Sequence, residues 1–404
     1  MTRQPTEHAA RQIGMAPRTL VALLLGAALS ATAGSASTSS PAWPQFHFDA
    51  AHTGFNQDEN TLGPQNVSRL KQAWSVQAGA AVDWSVAVSD GLVFATSDDN
   101  TLHAYRAADG SEAWSALLAG ASHFGASPAV VGGTVFAYTS SSIVSAFDAA
   151  TGASRWSESI SGIEGAFPGS PTVAGDLVYA LPYELVALEQ ATGRVRWTRN
   201  NVGCFVCSPA VADGVLYIGG GPAVGRRLLA LDAETGAQRW AFKPRAGRGF
   251  SWSASPAVDG GSVFQSAFAE GKKKIYSLYA FSASSGKKRW KVVLGSSKYL
   301  TASAPAVAHG VVYFASPGGK LYAFRATTGK VLWSYKLGMT DSSPAIANGV
   351  IYASAGHTLS ALDARTGKKI WSVRAASDVS TPVVVGGSLF VGSADGTIFA
   401  YRVP

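Results

Sequence analysis

The chain has 404 residues, 47% of them hydrophobic and 14% charged, with 44 glycines and a formal net charge of +8. So much apolar content with so little charge excludes an intrinsically disordered chain, and the glycine count suits many short strands joined by tight turns. The basic residues read as ordinary solvated surface, with attraction to anionic surfaces or acidic polymers as the alternative; no helix-turn-helix, zinc-finger or basic-helix pattern accompanies them, so no nucleic-acid partner is expected.

Residues 1–33 read as an export signal. Arg11 and Arg18 precede the apolar run Leu20 to Leu29, and Ala31-Thr32-Ala33 offers a small-x-small cleavage site. Leu20 to Ala33 spans 14 residues, short of the roughly 20 that cross a bilayer, so no transmembrane segment is expected in the mature chain. Cleavage there removes Arg3, Arg11, Arg18 and Glu7 and takes the charge from +8 to +6. A secreted, periplasmic or envelope-associated monomer is expected.

Residues 34–42 form a small, Ser-rich linker. Residues 43–70 are too aromatic for a tail, and the expectation is that they lie across one end or one side of the folded body through Trp43, Phe46, Phe48 and Phe55. Pro64 to Leu70 has room for one short helical turn. His47 and His52 lack further Cys or His partners to complete a metal site, so they read as hydrogen-bonded or surface histidines.

From residue 71 the chain repeats. Ala, then an aromatic residue or Leu, a polar turn closing on Gly, and Trp ten residues after the Ala recur at 104–114, 146–156, 187–197, 230–240, 280–290, 323–333 and 361–371. An eighth Ala-aromatic pair, Ala400-Tyr401, ends the chain without its Trp. Most units open on a Ser-Pro-Ala-Val strand or a close variant, as at Ser127-Pro128-Ala129-Val130, followed by a Gly-bearing hairpin turn. The seven intervals from Ala104 to Ala400 cover 296 residues and each lies between 38 and 50. Four strands with apolar alternation of period two and a repeat near 40 residues specify a propeller blade and exclude an α-hairpin solenoid.

The two ends decide the blade count. The last unit supplies three strands and stops, while the orphan strand Gln72-Ala73-Trp74-Ser75-Val76 precedes the first complete unit. Moved to the end, that strand completes an eighth blade and leaves no open sheet edge there. The fold class expected over 71–404 is therefore all-β: an eight-bladed β-propeller of four-stranded antiparallel blades, closed by the N-terminal strand.

Function is sought where the repeat breaks, in the loops that lead into each first strand and crowd one mouth of the channel. Trp84 and Trp252 fall outside the Ala-to-Trp frame and are placed to stack on a flat ligand or to cap the channel. Arg245, Arg248 and Lys298 could meet the negative charge of a small ligand there. Cys204 and Cys207 are the only cysteines of the chain; they read as a local disulfide, with a redox dithiol as the alternative. Asp83, Glu164, Asp341 and Asp378 read as solvated loop carboxylates, with calcium ligation or general-base work as the sharper reading. Asp98-Asp99-Asn100 reads as a turn.

The frame Ala-x-Asp-x-x-Thr-Gly-x-x-x-Trp, intact at Ala146–Trp156, Ala230–Trp240 and Ala361–Trp371, resembles the tryptophan-docking motif of the quinoprotein propeller superfamily. The resemblance covers 71–404. It implies either of two activities. One is that of the non-enzymatic outer-membrane assembly lipoprotein, which binds protein partners with its loops and needs no cofactor. The other is that of the dehydrogenases dependent on calcium and pyrroloquinoline quinone (PQQ), in which a Trp and a disulfide of adjacent cysteines sandwich the quinone. Here the cysteines are separated by two residues and no motif assigns a catalytic Asp. The expected function is a rigid binding propeller taking a protein, an envelope polymer or a small ligand at its mouth. The alternative is a PQQ- and calcium-dependent dehydrogenase of alcohols or sugars.

Overall fold

The computed structural model describes residues 40–120, 126–160, 169–181, 184–200, 202, 207–220, 226–244, 250–269, 274–297, 303–340 and 342–404. These residues belong to one compact unit, Ser40–Pro404.

They form eight four-stranded antiparallel sheets in sequence order, one of which gains a fifth, short strand. Blade 1 consists of Ala87–Ser89, Leu92–Ser97, Thr101–Arg106 and Glu112–Leu117. Blades 2 to 7 repeat this plan over residues 129–159, 172–199, 210–242, 250–297, 306–336 and 345–374. Blade 8 takes three strands from 383–402, and its fourth is Lys71–Gln77, paired antiparallel to Thr397–Arg402 with Trp74 opposite Ala400. The expected closure is thus present, and the first and last strands of the propeller share one sheet. Helix is confined, among the described residues, to the 3-10 turn Val67–Arg69.

The repeated residues show how neighbouring blades are joined. In every blade the outer strand carries a bulge just before its Trp, opposite the repeated Ala. A bulge bends and twists a strand locally, and here it re-aims the indole toward the following blade. Each of the eight docking indoles then donates its Nε1–H to a carbonyl beyond its own sheet, at 2.7–3.1 Å. Trp74 reaches Ala107 of blade 1 and Trp371 reaches Leu70, which closes the ring from both sides.

In blades 1 to 7 the Gly four residues before the Trp has φ between 67° and 78°, as a tight turn requires. It also receives the indole of the preceding blade: a Cβ there would sit 2.5–2.8 Å from that ring. The Asp and Thr of the frame hold the same turn. Asp148 Oδ1 accepts from Thr151 N and Oγ1 and its Oδ2 from Arg155, and Asp232 does the same with Thr235 and Arg239. Both carboxyls are held down at about 2, chiefly by the arginine. The Ser of the Ser-Pro motif adds an inner seam, since Ser127 N donates to Ser170 Oγ, Ser208 N to Ser255 Oγ and Ala304 N to Ser343 Oγ.

Candidate functional site

The inner strand of every blade faces the central axis and has no strand partner on that side. Its backbone N–H would be left unpaired, and such groups seldom stay so when buried. Residues 43–56 supply the partners. This strap runs once around the axis and meets the blades in order. The N–H of Val88 pairs with Trp43, that of Val130 with Pro44, Val173 with the Gln45 side chain, Val211 with Ala50, Val258 with Ala51, Val307 with Thr53 and Ile346 with Gly54, at 2.6–2.9 Å. At blade 8 the roles reverse, and Asn56 Nδ2 donates to the Val384 carbonyl at 2.8 Å. Phe55–Asn56 thereby becomes a parallel fifth strand on blade 7.

His47 and His52 lie inside this loop and are fully buried. His47 Nδ1 is 2.9 Å from the His52 carbonyl, so Nδ1 carries the ring proton. His52 Nδ1 lies 3.3 Å from the Pro256 carbonyl, which can only accept, so Nδ1 carries the proton and Nε2 faces the Thr172 hydroxyl at 3.2 Å as an acceptor. Burial pushes His47 down to about 4, and burial with the neighbouring His47 charge pushes His52 down to about 3. Both are neutral at pH 7 and serve to pin the strap. Their reading as hydrogen-bonded histidines holds, and their route around the axis was not legible because it follows backbone groups.

The strap lies at the end of the channel where first and second strands are joined by tight turns. The described residues that flank the repeat-breaking loops lie at the other end. Of the residues expected there, Trp84 is half-buried and Asp83 exposed. Asp378 is exposed, 3.5 Å from His357 Nε2. Arg245, Arg248, Lys298, Cys204, Glu164 and Asp341 lie outside the described residues. Cys207 is buried beside Leu181 and Val202.

Trp252 departs from expectation. It is 1% exposed, donates Nε1–H to Arg226 O at 3.1 Å and packs edge-on against Phe250, Tyr279 and Phe281. Its strand, Phe250–Asp259, is ten residues long where the other inner strands have three, so blade 5 needs extra apolar filling against blade 4. Trp252 is that filling, and no face of the ring is left for a ligand. Asp98–Asn100 is a turn, as read, with Asp99 Oδ1 accepting from Ser97 Oγ and Thr101 N.

The described part of the mouth has a charge pattern. Asp83, Asp99, Asp378 and Asp395 come from loops of blades 8 and 1, whereas Arg226, Arg227 and Lys243 come from blade 4 and its exit loop, across the axis in an eight-membered ring. Large apolar side chains stand exposed at the same end: Leu117 at the close of blade 1 (78% exposed) and Met339 between blades 6 and 7 (56%). Both were missed, because Leu117 sits in a regular strand and Met339 in a short loop.

A quinone and calcium seat would need an accessible aromatic face, a disulfide platform and clustered carboxylates. Among the described residues, Trp252 is enclosed and no group of three or more His, Cys, Asp or Glu is placed to hold a metal ion. Trp84 keeps a partly open ring, and Cys204, Glu164 and Asp341, on which such a seat would draw, lie outside the described residues.

A family model described as outer membrane protein assembly factor BamB matches residues 67–202 and 184–403. The crystal structure of BamB from Moraxella catarrhalis superposes with a TM-score of 0.67 at 19% identity, covering 82% of this chain and 99% of that one. Quinohemoprotein alcohol dehydrogenase from Comamonas testosteroni gives 0.69 at 16% identity, with 90% and 80% covered, and a europium-containing methanol dehydrogenase gives 0.68 at 14%, with 89% and 98% covered. At these identities the structures share the fold alone. Among curated sequences, the serine/threonine-protein kinase AfsK of Streptomyces coelicolor is 36% identical over 146 residues, 36% of this chain and 16% of the kinase. The chain thus matches only a small part of that relative's length.

Proposed function

Because this chain belongs to the PQQ-repeat propeller family described as outer membrane protein assembly factor BamB, we propose that it is a rigid binding propeller that docks a polypeptide at the mouth opposite the strap. The observation that carries this reading is the difference between the two ends. One end is bonded to its own N-terminal strap at every blade, so its inner edges are already satisfied. The other has no strap among the described residues and presents Trp84, Leu117 and Met339 among charges of both signs, Leu117 and Met339 being more exposed than Val195, Val331 and Leu332 beside the strap-side turns. Exposed apolar side chains rimmed by charge suit a protein interface. Envelope polymers and small ligands are the competing occupants.

In this reading residues 1–33 are a cleaved signal, 34–42 a linker, 43–70 the strap and its anchor, and 71–404 the propeller, a monomer exported to the periplasm or cell envelope. A Cys204–Cys207 disulfide braces the mouth loop between blades 3 and 4; among the described residues there is no free cysteine, which supports it.

The test is site-specific photocrosslinking in exported protein, with the photoreactive residue at Leu117 or Met339 and, as controls, at Asp90 or Asn348 on the strap side. Polypeptide adducts from the first pair alone are expected. Adducts from the control pair alone would overturn the docking face. Dye reduction by alcohols after addition of PQQ and calcium would instead establish the dehydrogenase. No step through a quinone is derived, since Cys204, Glu164 and Asp341, on which its seat would draw, lie outside the described residues.

A further inference from the structure

On the strap side, between the strap and the inner turns of blades 5 and 6, lies a depression of about 320 Å³. Its walls include Phe48, Asp49, Thr53 and Phe55 from the strap, Asp259 from blade 5 and His309 from blade 6. No lysine or arginine lines it, although the chain as a whole carries +8. Asp49 is held in one orientation, its Oδ1 accepting from Thr53 N at 2.9 Å and its Oδ2 from Thr53 Oγ1 at 2.6 Å. Burial, and to a lesser extent the charge of Asp259, makes Asp49 easier to protonate than an ordinary carboxyl. A cation between the two would relieve that repulsion.

The kind of cation follows from the rest of the wall. A hard divalent ion wants six or more oxygen ligands, and among the described residues no group of three or more metal-ligating side chains exists here. Two carboxylates do suit a single ammonium head, which has three N–H donors. The phenyl rings of Phe48 and Phe55, the latter edge-on to His309 at 4.9 Å, suit an alkyl chain and attract a cation over their faces. The volume lies at the lower end of small-molecule sites, ample for a short alkyl chain and its ammonium head.

We propose that this depression binds the end of an alkylammonium chain, either a free diamine or the lysine side chain of a polypeptide. It is separate from the mouth and stands whether or not a partner docks there.

The test is calorimetric titration of the intact chain at low salt with n-butylammonium chloride, with n-butanol as the neutral shape match and calcium chloride as the competing cation. Dissociation in the range of about 1–10 mM is expected for so small a ligand, with no binding of n-butanol. Asp259 is exposed, so Asp259→Asn should fold, which the urea midpoint verifies. That variant should weaken binding at least fivefold, and Asp259→Lys, which places an ammonium of its own in the depression, should abolish it. Tighter binding of Nα-acetyl-lysine methylamide than of putrescine identifies a lysine side chain, and the reverse order a free diamine. Equal binding of n-butanol, unchanged affinity in Asp259→Asn, or calcium binding that butylammonium cannot displace would each overturn the proposal.

Discussion

Gly152 and Gly175 provide a matched test of how the blades are joined. Both have positive φ, 73° and 62°. A methyl group at Gly175 would meet nothing within 4 Å, whereas one at Gly152 would lie 2.6 Å from Cε3 of Trp114. Placing Ala at either position forces an L-residue into the left-handed region, at about 1–2 kcal/mol. Gly152→Ala adds overpacking, typically about 1–3 kcal/mol. The indole cannot simply retreat, because its Nε1–H is bonded to Ala149 O at 3.0 Å and leaving it forfeits about 1 kcal/mol. Gly152→Ala should therefore be less stable than Gly175→Ala by about 2 kcal/mol, read as a fall in urea midpoint at unchanged slope. In a Trp114→Leu background the extra penalty should shrink toward zero, since the ring that the methyl strikes is gone. Equal midpoints for the two glycine variants, or an extra penalty that persists without the indole, would refute the docking argument.

The strap gives three further expectations. Since His47 titrates at about 4 in the folded chain and at 6.5 when free, the unfolded chain takes up the proton first. The contribution is fully present above pH 6.5 and lost as pH falls toward 4; it amounts to about 3 kcal/mol at 1.36 kcal/mol per unit. Urea midpoints should fall over this window, and less steeply in His47→Gln. Asn56→Ala removes the bond to Val384 O and the side-chain acceptor for Asp58 N and Glu59 N, which should destabilise by about 1–3 kcal/mol in the same assay. In hydrogen exchange, the amides of Val130, Val211, Val258, Val307 and Ile346 should be slow in the intact chain and become fast together when residues 40–56 are deleted; fast exchange in the intact protein would contradict the strap.

The ring was legible because its determinants are local and repeated. Each Ala-to-Trp frame carries its own turn chemistry, and counting frames also located the missing strand at Trp74. What the repeat concealed was the second half of each contact. The Gly of the frame reads as a turn residue from its own blade, yet it is equally a landing surface for the indole of the preceding blade. The bulge that aims the indole leaves no mark in the alternation, because one extra residue in an outer strand looks like ordinary variation in loop length.

The site was less legible, for a physical reason that differs by residue. Trp252 drew attention because it lies outside the frame, but a residue can leave a repeat to fill a gap as readily as to bind a ligand. Its place in the lengthened blade 5 decides for filling. Gln45 and Asn56 carry no motif, since they act by substituting amide side chains for backbone at the two blades the strap's own peptide groups do not reach. Asp49 was equally silent, because it is buried by the fold and one of its charged neighbours, Asp259, is more than two hundred residues away in sequence. In a closed ring the functional neighbours come from different blades, so a repeat fixes where a residue stands on its own blade while the strap decides what it faces across the axis.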